Sequence, residues 1–317
     1  MTDILPTYHV PVLLTETLEL LALKSGARVI DATVGDGGHS VAILEQIGSA
    51  GRLLGFDVSP VSLDRAAERL GEDSRVSLVN ANFSELAEQA ERANLEAADA
   101  IVFDLGLASW QLDPPSPDGF GGASSVDSRV SLGLSFQRTE PLDMRLNPNL
   151  LRTAEQIVNR ATPGELMDIF ESYGDLRRSK PLVEKIRLAR AQRPITTTTD
   201  LAEVIGTHDP RALAPLFQAL RIAVNSELDV LSAALQQAID RLAPNGRLVV
   251  LSYHSGEDRI VKHQLAAQRQ AGQLSILTPH PIVASLEEQR ANPRSRSAKL
   301  RAAGRIDHQS SPEDQHD

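Results

Sequence analysis

Cysteine is absent from the 317-residue sequence. Its absence excludes disulfide bonds, thiolate zinc sites, iron–sulfur clusters and cysteine nucleophiles. No apolar run approaches the ~18 residues that a membrane-spanning helix requires. Residues 1–6 have neither a basic n-region nor an apolar h-region, so we expect no signal peptide. These absences predict a cytoplasmic protein that has no membrane partner.

Zinc-binding patterns are missing as well. The eight histidines form no His-x-x-x-His or His-Glu-x-x-His pair, the spacing that brings two zinc ligands to one face of a helix. We therefore expect no metal among the site residues.

Positive charge is in deficit, with 32 Lys and Arg against 42 Asp and Glu, a net charge of −10. The overall field therefore does not hold the protein to nucleic acid, and any basic surface must be local. Basic residues concentrate in two segments, 176–193 and 285–305. Such runs can be solvated helix faces or polyanion-binding surfaces, and both interpretations stay open at this point.

Strand and helix patterns alternate along the first hundred residues. The strand patterns lie at 28–31, 52–57, 76–80 and 100–105, with helical patterns between them. Strands separated by helices of this length build a parallel sheet with right-handed crossovers. The pattern stops after Leu112, where a stretch rich in Pro, Gly and Ser begins and extends to Asn149. Its length predicts a lid or binding loop, and we expect its low-complexity part, 119–133, to be mobile.

Helical patterns follow this stretch. The hydroxyls of Thr196–Thr199 predict a capped helix start. Apolar residues spaced by threes and fours between Leu213 and Leu242 predict one helix of about 30 residues, and a fifth strand follows at 247–253. The predicted organisation is an α/β domain formed by residues 1–112 and 221–317, interrupted at 113–220 by the loop and a helical insertion, whose basic segment makes it the candidate polyanion-recognition domain.

The clearest functional pattern follows the first strand, where residues 31–39 read Asp-Ala-Thr-Val-Gly-Asp-Gly-Gly-His. Glycines permit positive φ and close approach of the backbone to a ligand, and the next helix start offers free N–H groups. Asp57 ends the second strand, where an acid can accept both hydroxyls of a ribose. Because Asp31 suits an ammonium group and would repel a pyrophosphate, the loop favours S-adenosylmethionine over NAD. A glycine-rich structural turn is the alternative.

Three more residues follow later strands. Phe83 could stack on adenine, although a lone Phe is also a common core residue. Asp104 ends the fourth strand, and His254 follows the fifth. Reacting groups of open α/β sheets gather at this edge, so Asp104 and His254 are our candidate catalytic residues. His254 could equally be a structural hydrogen-bonding residue.

In these residues the chain resembles the bacterial small-subunit (16S) ribosomal RNA cytosine-N4 methyltransferases of the RsmH/MraW type. The matching segments are 9–14, 37–40, 104–106 with 111–113, 141–145, 194–197, 217–222 with 224–228, 254–255 with 257–262, and 292–297. The chain departs from the family pattern by roughly fifteen extra residues between Gln111 and Phe136. It also has Tyr253 where Phe is usual and Gly256 where Leu is usual.

The resemblance implies an α/β fold of the class I S-adenosylmethionine-dependent methyltransferase type (Rossmann-like), with an inserted helical domain. It implies methylation of a decoding-centre cytidine at N4, with 16S rRNA or the small ribosomal subunit as partner. The cofactor-binding positions it assigns are Gly37, Gly38, His39, Asp57, Phe83, Asp104 and Gln111.

The missing cysteine agrees with a nitrogen target, because methylation of cytosine C5 needs a thiolate adduct at C6 and methylation of N4 does not. Two other functions stay open: an NAD(P)-dependent oxidoreductase and a non-catalytic RNA-binding ribosome assembly factor. The oligomeric state is also open, a homodimer included. If RNA is the substrate, the residues expected to contact phosphates are Arg177, Arg178, Lys185, Arg187, Arg190, Arg193, Arg294, Arg296 and Arg301.

Overall fold

The computed structural model describes residues 10–107, 111 and 131–307. The described chain forms two compact units. The sheet unit contains residues 10–107 and 228–307, and the helical unit contains residue 111 and residues 131–227. Most of the predicted mobile segment 119–133 therefore lies outside the described residues.

The sheet unit is built on seven described strands in the order β3-β2-β1-β4-β5-β7-β6. Their bounds are β1 Arg28–Asp31, β2 Arg52–Asp57, β3 Val76–Asn80, β4 Ala98–Asp104, β5 Leu242–Ser252, β6 Leu274–Ile276 and β7 Lys299–Arg305. Strands β1 to β5 are parallel, and β7 lies antiparallel between β5 and β6. This order confirms the predicted α/β fold of the class I, Rossmann-like type.

Helices cover both faces of this sheet. They are α1 Leu14–Leu21, α2 Gly38–Ile47, α3 Pro60–Leu70, α4 Leu86–Arg92, α10 Glu227–Arg241, α11 Ser255–Gln270 and α12 Leu286–Ala291. One apolar cluster packs α4, α10 and α11 on one face, and a second packs α1 and α2 on the other. The central strand β4 is therefore buried on both sides, which agrees with its continuous apolar run Ile101-Val102-Phe103.

The helical unit contains the remaining described helices, which are α5 Ala154–Arg160, α6 Pro163–Gly174, α7 Lys180–Arg190, α8 Thr198–Ile205 and α9 Pro210–Asn225. Polar caps begin several of them. Thr197 accepts a hydrogen bond from the Asp200 N–H, and the Asp200 side chain accepts one from the Thr197 N–H. The predicted threonine-capped helix start is thus confirmed.

The prediction of one long helix between Leu213 and Leu242 is wrong. Ser226 adopts φ 51° and ψ 35°, and its N–H bonds to the Ile222 carbonyl, which ends α9. Helix α10 then begins at Glu227, whose carboxylate pairs with Arg221 at 2.8 Å. A residue in the left-handed region cannot continue a right-handed helix. The break also falls at the division between the two units, between Glu227 and Leu228.

None of the helices within 10–107, 111 and 131–307 combines the length and the apolar character that crossing a membrane requires.

Candidate active site

Acidic residues mark the carboxyl ends of three neighbouring strands. Asp31 ends β1, Asp57 ends β2 and Asp104 ends β4, and these strands are adjacent in the order β2-β1-β4. Tyr253 and His254 directly follow β5, the next strand along. The carboxyl edge of an open parallel sheet is where ligands bind in this class of fold. The structure therefore brings the predicted aspartates to one edge of the sheet unit.

Asp57 is held by the loop after β1. Its two carboxylate oxygens accept hydrogen bonds from Gly35 N–H at 3.0 Å and Ser59 N–H at 2.8 Å. Burial raises the pKa of Asp57 to about 6, helped by the negative charges of Asp31 and Asp36 and opposed by the two N–H bonds. A carboxylate has about four lone-pair sites, so Asp57 can accept further donors while it keeps both loop contacts.

The glycines of this loop have different roles. Gly35 has φ 53°, and no described atom lies within 4 Å of the position that a Cβ would take. Gly37 has φ 76° and lies against Ala66 of α3, at 3.5 Å from the ideal Cβ position. A Cβ on Gly38 would lie 2.6 Å from Pro11 Cγ. Gly35 therefore faces open space. Gly37 and Gly38, the predicted ligand glycines, instead allow Ala66 and Pro11 to pack closely against the start of α2.

A buried ion pair fastens the loop to α3. Arg65 Nε and Nη2 donate to the two oxygens of Asp36 at 2.9 and 3.1 Å. Both side chains are less than a tenth exposed. Sequence reasoning missed this pair, because the two residues lie 29 positions apart and no local pattern connects them.

Asp31 stabilises the loop after β1 and the first turn of α2. It is 1% exposed, and its oxygens accept hydrogen bonds from the Ser40 hydroxyl at 2.6 Å and the Thr33 N–H at 3.1 Å. Burial raises its pKa, while the hydrogen bond from Ser40 and the nearby His39 oppose the rise. Asp31 therefore supports the loop through these hydrogen bonds, and its contact with an ammonium group stays a prediction.

Asp104 has one carboxylate oxygen, Oδ2, to which no hydrogen bond from the described residues is assigned. Its Oδ1 accepts hydrogen bonds from the Tyr253 hydroxyl at 2.7 Å and from Gly106 N–H at 3.3 Å. Its Oδ2 lies 3.6 Å from His39 Nδ1. Thr33 Oγ1 fixes the backbone by accepting from the Asp104 N–H at 2.5 Å. The Asp104 side chain is 22% exposed, so an incoming donor can reach it.

The tautomer of His39 follows from its second contact. Nε2 lies 3.2 Å from the Val12 carbonyl oxygen, which can only accept, so Nε2 carries a proton. Nδ1 lies 3.6 Å from Asp104 Oδ2; it accepts a hydrogen bond when the ring is neutral and donates one to Oδ2 when the ring is protonated. In the neutral form, Nδ1 and Oδ2 can share one donor, such as an ammonium or amine group.

Phe83 and Gln111 are placed less decisively. The Phe83 ring is half-buried and meets Phe103 edge-to-face, with ring centres 5.8 Å apart and an interplanar angle of 75°. One part of the ring thus belongs to the core, and the rest can receive a ligand. Gln111 is half-buried and belongs to the helical unit. Both stay predicted cofactor contacts.

His254 begins helix α11. Its Nδ1 accepts from Glu257 N–H at 3.4 Å, and Glu257 Oε2 accepts from His254 N–H at 3.3 Å, a reciprocal cap. Nε2 lies 3.1 Å from Glu257 Oε1, although not in the direction of a hydrogen bond. The imidazole therefore has a clear structural role, and a catalytic role for His254 stays a prediction.

Comparison with known proteins agrees with this geometry. Residues 6–306 match the model of the MraW methylase family. The ribosomal RNA small subunit methyltransferase H of Thermomicrobium roseum is 41% identical over 332 residues, covering 97% of both chains. The protein of the same name from Heliobacterium mobile is 40% identical, covering 94% of this chain and 99% of the relative. That from Koribacter versatilis is 41% identical, covering 94% of both. The chain belongs to the MraW methylase family.

Proposed function

We propose that this protein transfers the methyl group of S-adenosylmethionine to the exocyclic N4 amine of a cytidine in the decoding centre of 16S rRNA. The observation that carries the proposal is the near full-length match to relatives named ribosomal RNA small subunit methyltransferase H. The nitrogen target and the decoding centre rest on the family resemblance and on the absence of cysteine.

The residues at the sheet edge fit the cofactor. Asp57 has lone pairs left for the two ribose hydroxyls, and the open side of Gly35 leaves room beside it. Phe83 offers the exposed part of its ring to the adenine. Asp104 Oδ2, 3.6 Å from His39 Nδ1, can accept a hydrogen bond from an N–H group of the cofactor or of the target amine. S-adenosylmethionine, when bound, supplies an electrophilic sulfonium methyl group.

The protein's contribution to the chemistry is orientation and charge. The N4 lone pair of cytosine is delocalised into the ring, so the amine must be held in line with the methyl group, and proximity supplies most of the rate. Asp104 Oδ2 can accept an N–H and stabilise the positive charge that develops on that nitrogen. Its other oxygen is already occupied, so one defined atom is available to accept a hydrogen bond and later a proton.

Four of the predicted phosphate contacts in the helical unit have partners within that unit. Lys185 donates to the Ile205 carbonyl and Arg190 to the Val158 carbonyl, Arg187 pairs with Glu184, and Arg193 pairs with Asp200 and Glu203.

One predicted phosphate contact of segment 285–305 also has a partner within the protein. Arg301 is 9% exposed and bound to Asp258 at 2.7 Å, so it cannot reach RNA.

In the helical unit, Arg177 and Arg178 follow α6 and are exposed. Within the described parts of the chain neither of their side chains has an assigned ion pair. We infer that these two arginines contact the RNA backbone, while Arg294, which is half-buried, and Arg296, which is exposed, stay predicted phosphate contacts.

Thermal denaturation with two ligands tests the cofactor class. A ligand that binds only the folded state raises its melting temperature. S-adenosylhomocysteine should raise it and NADH should not. Stabilisation by NADH alone would favour an oxidoreductase and overturn the proposal.

Transfer of label tests catalysis. The protein is incubated with small ribosomal subunits and S-adenosylmethionine labelled in the methyl group, and label should appear in the RNA. RNA binding without transfer would favour an assembly factor.

A further inference from the structure

Tyr253 links two parts of the sheet edge. It directly follows β5, and its N–H donates to Glu257 Oε2 at 2.7 Å. Glu257 is 4% exposed and also caps α11, so the Tyr253 backbone is fixed. The Tyr253 hydroxyl lies 2.7 Å from Asp104 Oδ1. The side chain thus reaches from the end of β5 to the acid at the end of β4.

The Tyr253 ring is also confined. A Cβ on Gly106 would lie 2.8 Å from Tyr253 Cε2 and 3.0 Å from Cζ, closer than real side-chain contacts allow. The ring therefore lies directly against the Gly106 backbone. Gly106 N–H donates to the same Oδ1 of Asp104 at 3.3 Å. Two donors on separate segments converge on one oxygen of this carboxylate.

The hydroxyl donates in this contact, because an ionised carboxylate can only accept. Burial raises the pKa of Tyr253 well above its usual range, and the charge of Asp104 and the hydrogen bond to it raise the pKa further. The hydroxyl therefore keeps its proton throughout the range in which enzymes are assayed. Deprotonation of Tyr253 therefore does not break this hydrogen bond within that range.

We propose that Tyr253, which stands where the family usually has Phe, is a positioning residue particular to this chain: its hydroxyl holds Asp104 Oδ1 so that Oδ2 alone faces the incoming nitrogen beside His39. The inference rests on the proposed function. Without the hydroxyl, Gly106 N–H at 3.3 Å is the remaining described donor to Oδ1, and the carboxylate can rotate away from the productive geometry. Loss of a group that orients a reacting side chain lowers the rate even when the ligands still bind.

The test is Tyr253→Phe, which keeps the ring against Gly106 and removes only the hydroxyl. Steady-state kcat and KM for methyl transfer to small ribosomal subunits are measured, with the melting temperature and the affinity for S-adenosylhomocysteine recorded in parallel. We expect kcat/KM to fall about tenfold, as for loss of one hydrogen bond to a charged group. The loss should fall on kcat, with KM and the affinity for S-adenosylhomocysteine near their wild-type values, because the hydroxyl orients Asp104 and binds neither ligand.

Ser252→Ala is the matched control. Ser252 is the neighbouring residue, is buried, and donates its hydroxyl to the Lys299 carbonyl at 3.3 Å. The variant loses one hydroxyl hydrogen bond without touching Asp104. It should cost at most a modest drop in melting temperature and leave kcat and KM at their wild-type values.

The outcomes are distinct. A wild-type kcat in Tyr253→Phe, or a loss confined to KM, would overturn the inference alone, since the wild-type enzyme is then active. The inference also fails if Tyr253→Phe loses activity only in proportion to melting temperature, as a structural residue would. A wild-type protein that transfers no methyl group to the subunit overturns both the inference and the proposed function.

Discussion

Lowering the pH from 7 to 5 should weaken binding of S-adenosylhomocysteine about tenfold, because Asp57 takes up a proton in this range. Its pKa is raised to about 6. The carboxylate is then about nine-tenths ionised at pH 7 and about one-tenth ionised at pH 5. Ribose hydroxyls donate to the ionised form, so the observed affinity follows the ionised fraction.

In the protein without cofactor, the contribution of Asp57 to the free energy of unfolding should change with pH in the opposite direction to cofactor affinity. The pKa of folded Asp57 lies above the ordinary aspartate value of 3.8, so the folded state holds the extra proton between about pH 4 and 6. The contribution of Asp57 to the free energy of unfolding therefore increases as the pH falls through this window, while cofactor affinity decreases.

Titration calorimetry at pH 7, 6 and 5 is the assay, with Asp57→Ala as the reference variant. The variant loses hydrogen bonds to the sugar, each worth about 1.5–3 kcal/mol, so its affinity at pH 7 should be at least tenfold weaker. Every other titratable group remains, so the affinity of the variant should change less than that of the wild-type protein between pH 7 and 5, and the difference between the two proteins is the contribution of Asp57. A wild-type affinity that stays constant over this range, or equal affinities of the two proteins at pH 7, would refute the assignment of Asp57 to the ribose.

Three further results are expected. Arg177→Gln with Arg178→Gln should weaken RNA binding and reduce its logarithmic salt slope by about 1.4, at about 0.7 per contact to single-stranded RNA, without changing cofactor affinity. Arg65→Ala should lower the free energy of unfolding in urea by about 3–5 kcal/mol, because Asp36 remains buried and unpaired. Ser226→Val should cost about 1–3 kcal/mol in the same assay, because a β-branched residue is strained at φ 51°.

Each result has a control or a contradicting outcome. Arg187→Gln with Arg193→Gln removes the same charge from arginines that are paired within the helical unit; an equal loss of salt dependence there would contradict the specific role of the exposed pair. A cost below about 1 kcal/mol for the Arg65 variant would mean that the ion pair does not fasten the loop. Ser226→Gly tolerates positive φ, so a loss equal to that of the valine variant would contradict the strain argument.

The sheet and its acidic edge were predictable because their signals are local. Each parallel strand is a short apolar run between helical patterns, and the topology of such sheets places the strand ends together. Asp57 and Asp104 could therefore be assigned to one edge from the sequence alone. The break at Ser226 could not be predicted, because the apolar spacing continues on both sides and one left-handed residue leaves no mark on periodicity.

The side-chain contacts within the site could not be predicted for a different reason. Tyr253 and Asp104 are 149 residues apart in sequence, and their contact depends on β4 and β5 being neighbours and on where each strand stops. The separate roles of Gly35, Gly37 and Gly38 depend on what packs beside each glycine. Composition identifies a glycine-rich loop, but only the packing shows which glycine faces open space.

Methyl transfer to N4 of cytidine is tested most directly by the identity of the modified nucleoside. Small ribosomal subunits lacking the modification are incubated with the protein and with S-adenosylmethionine carrying a heavy-isotope methyl group. The RNA is then digested to nucleosides, which are separated and fragmented by mass spectrometry. The expected product is heavy N4-methylcytidine. Heavy 5-methylcytidine, a methylated nucleoside of another base, or no heavy nucleoside at all would contradict transfer to N4.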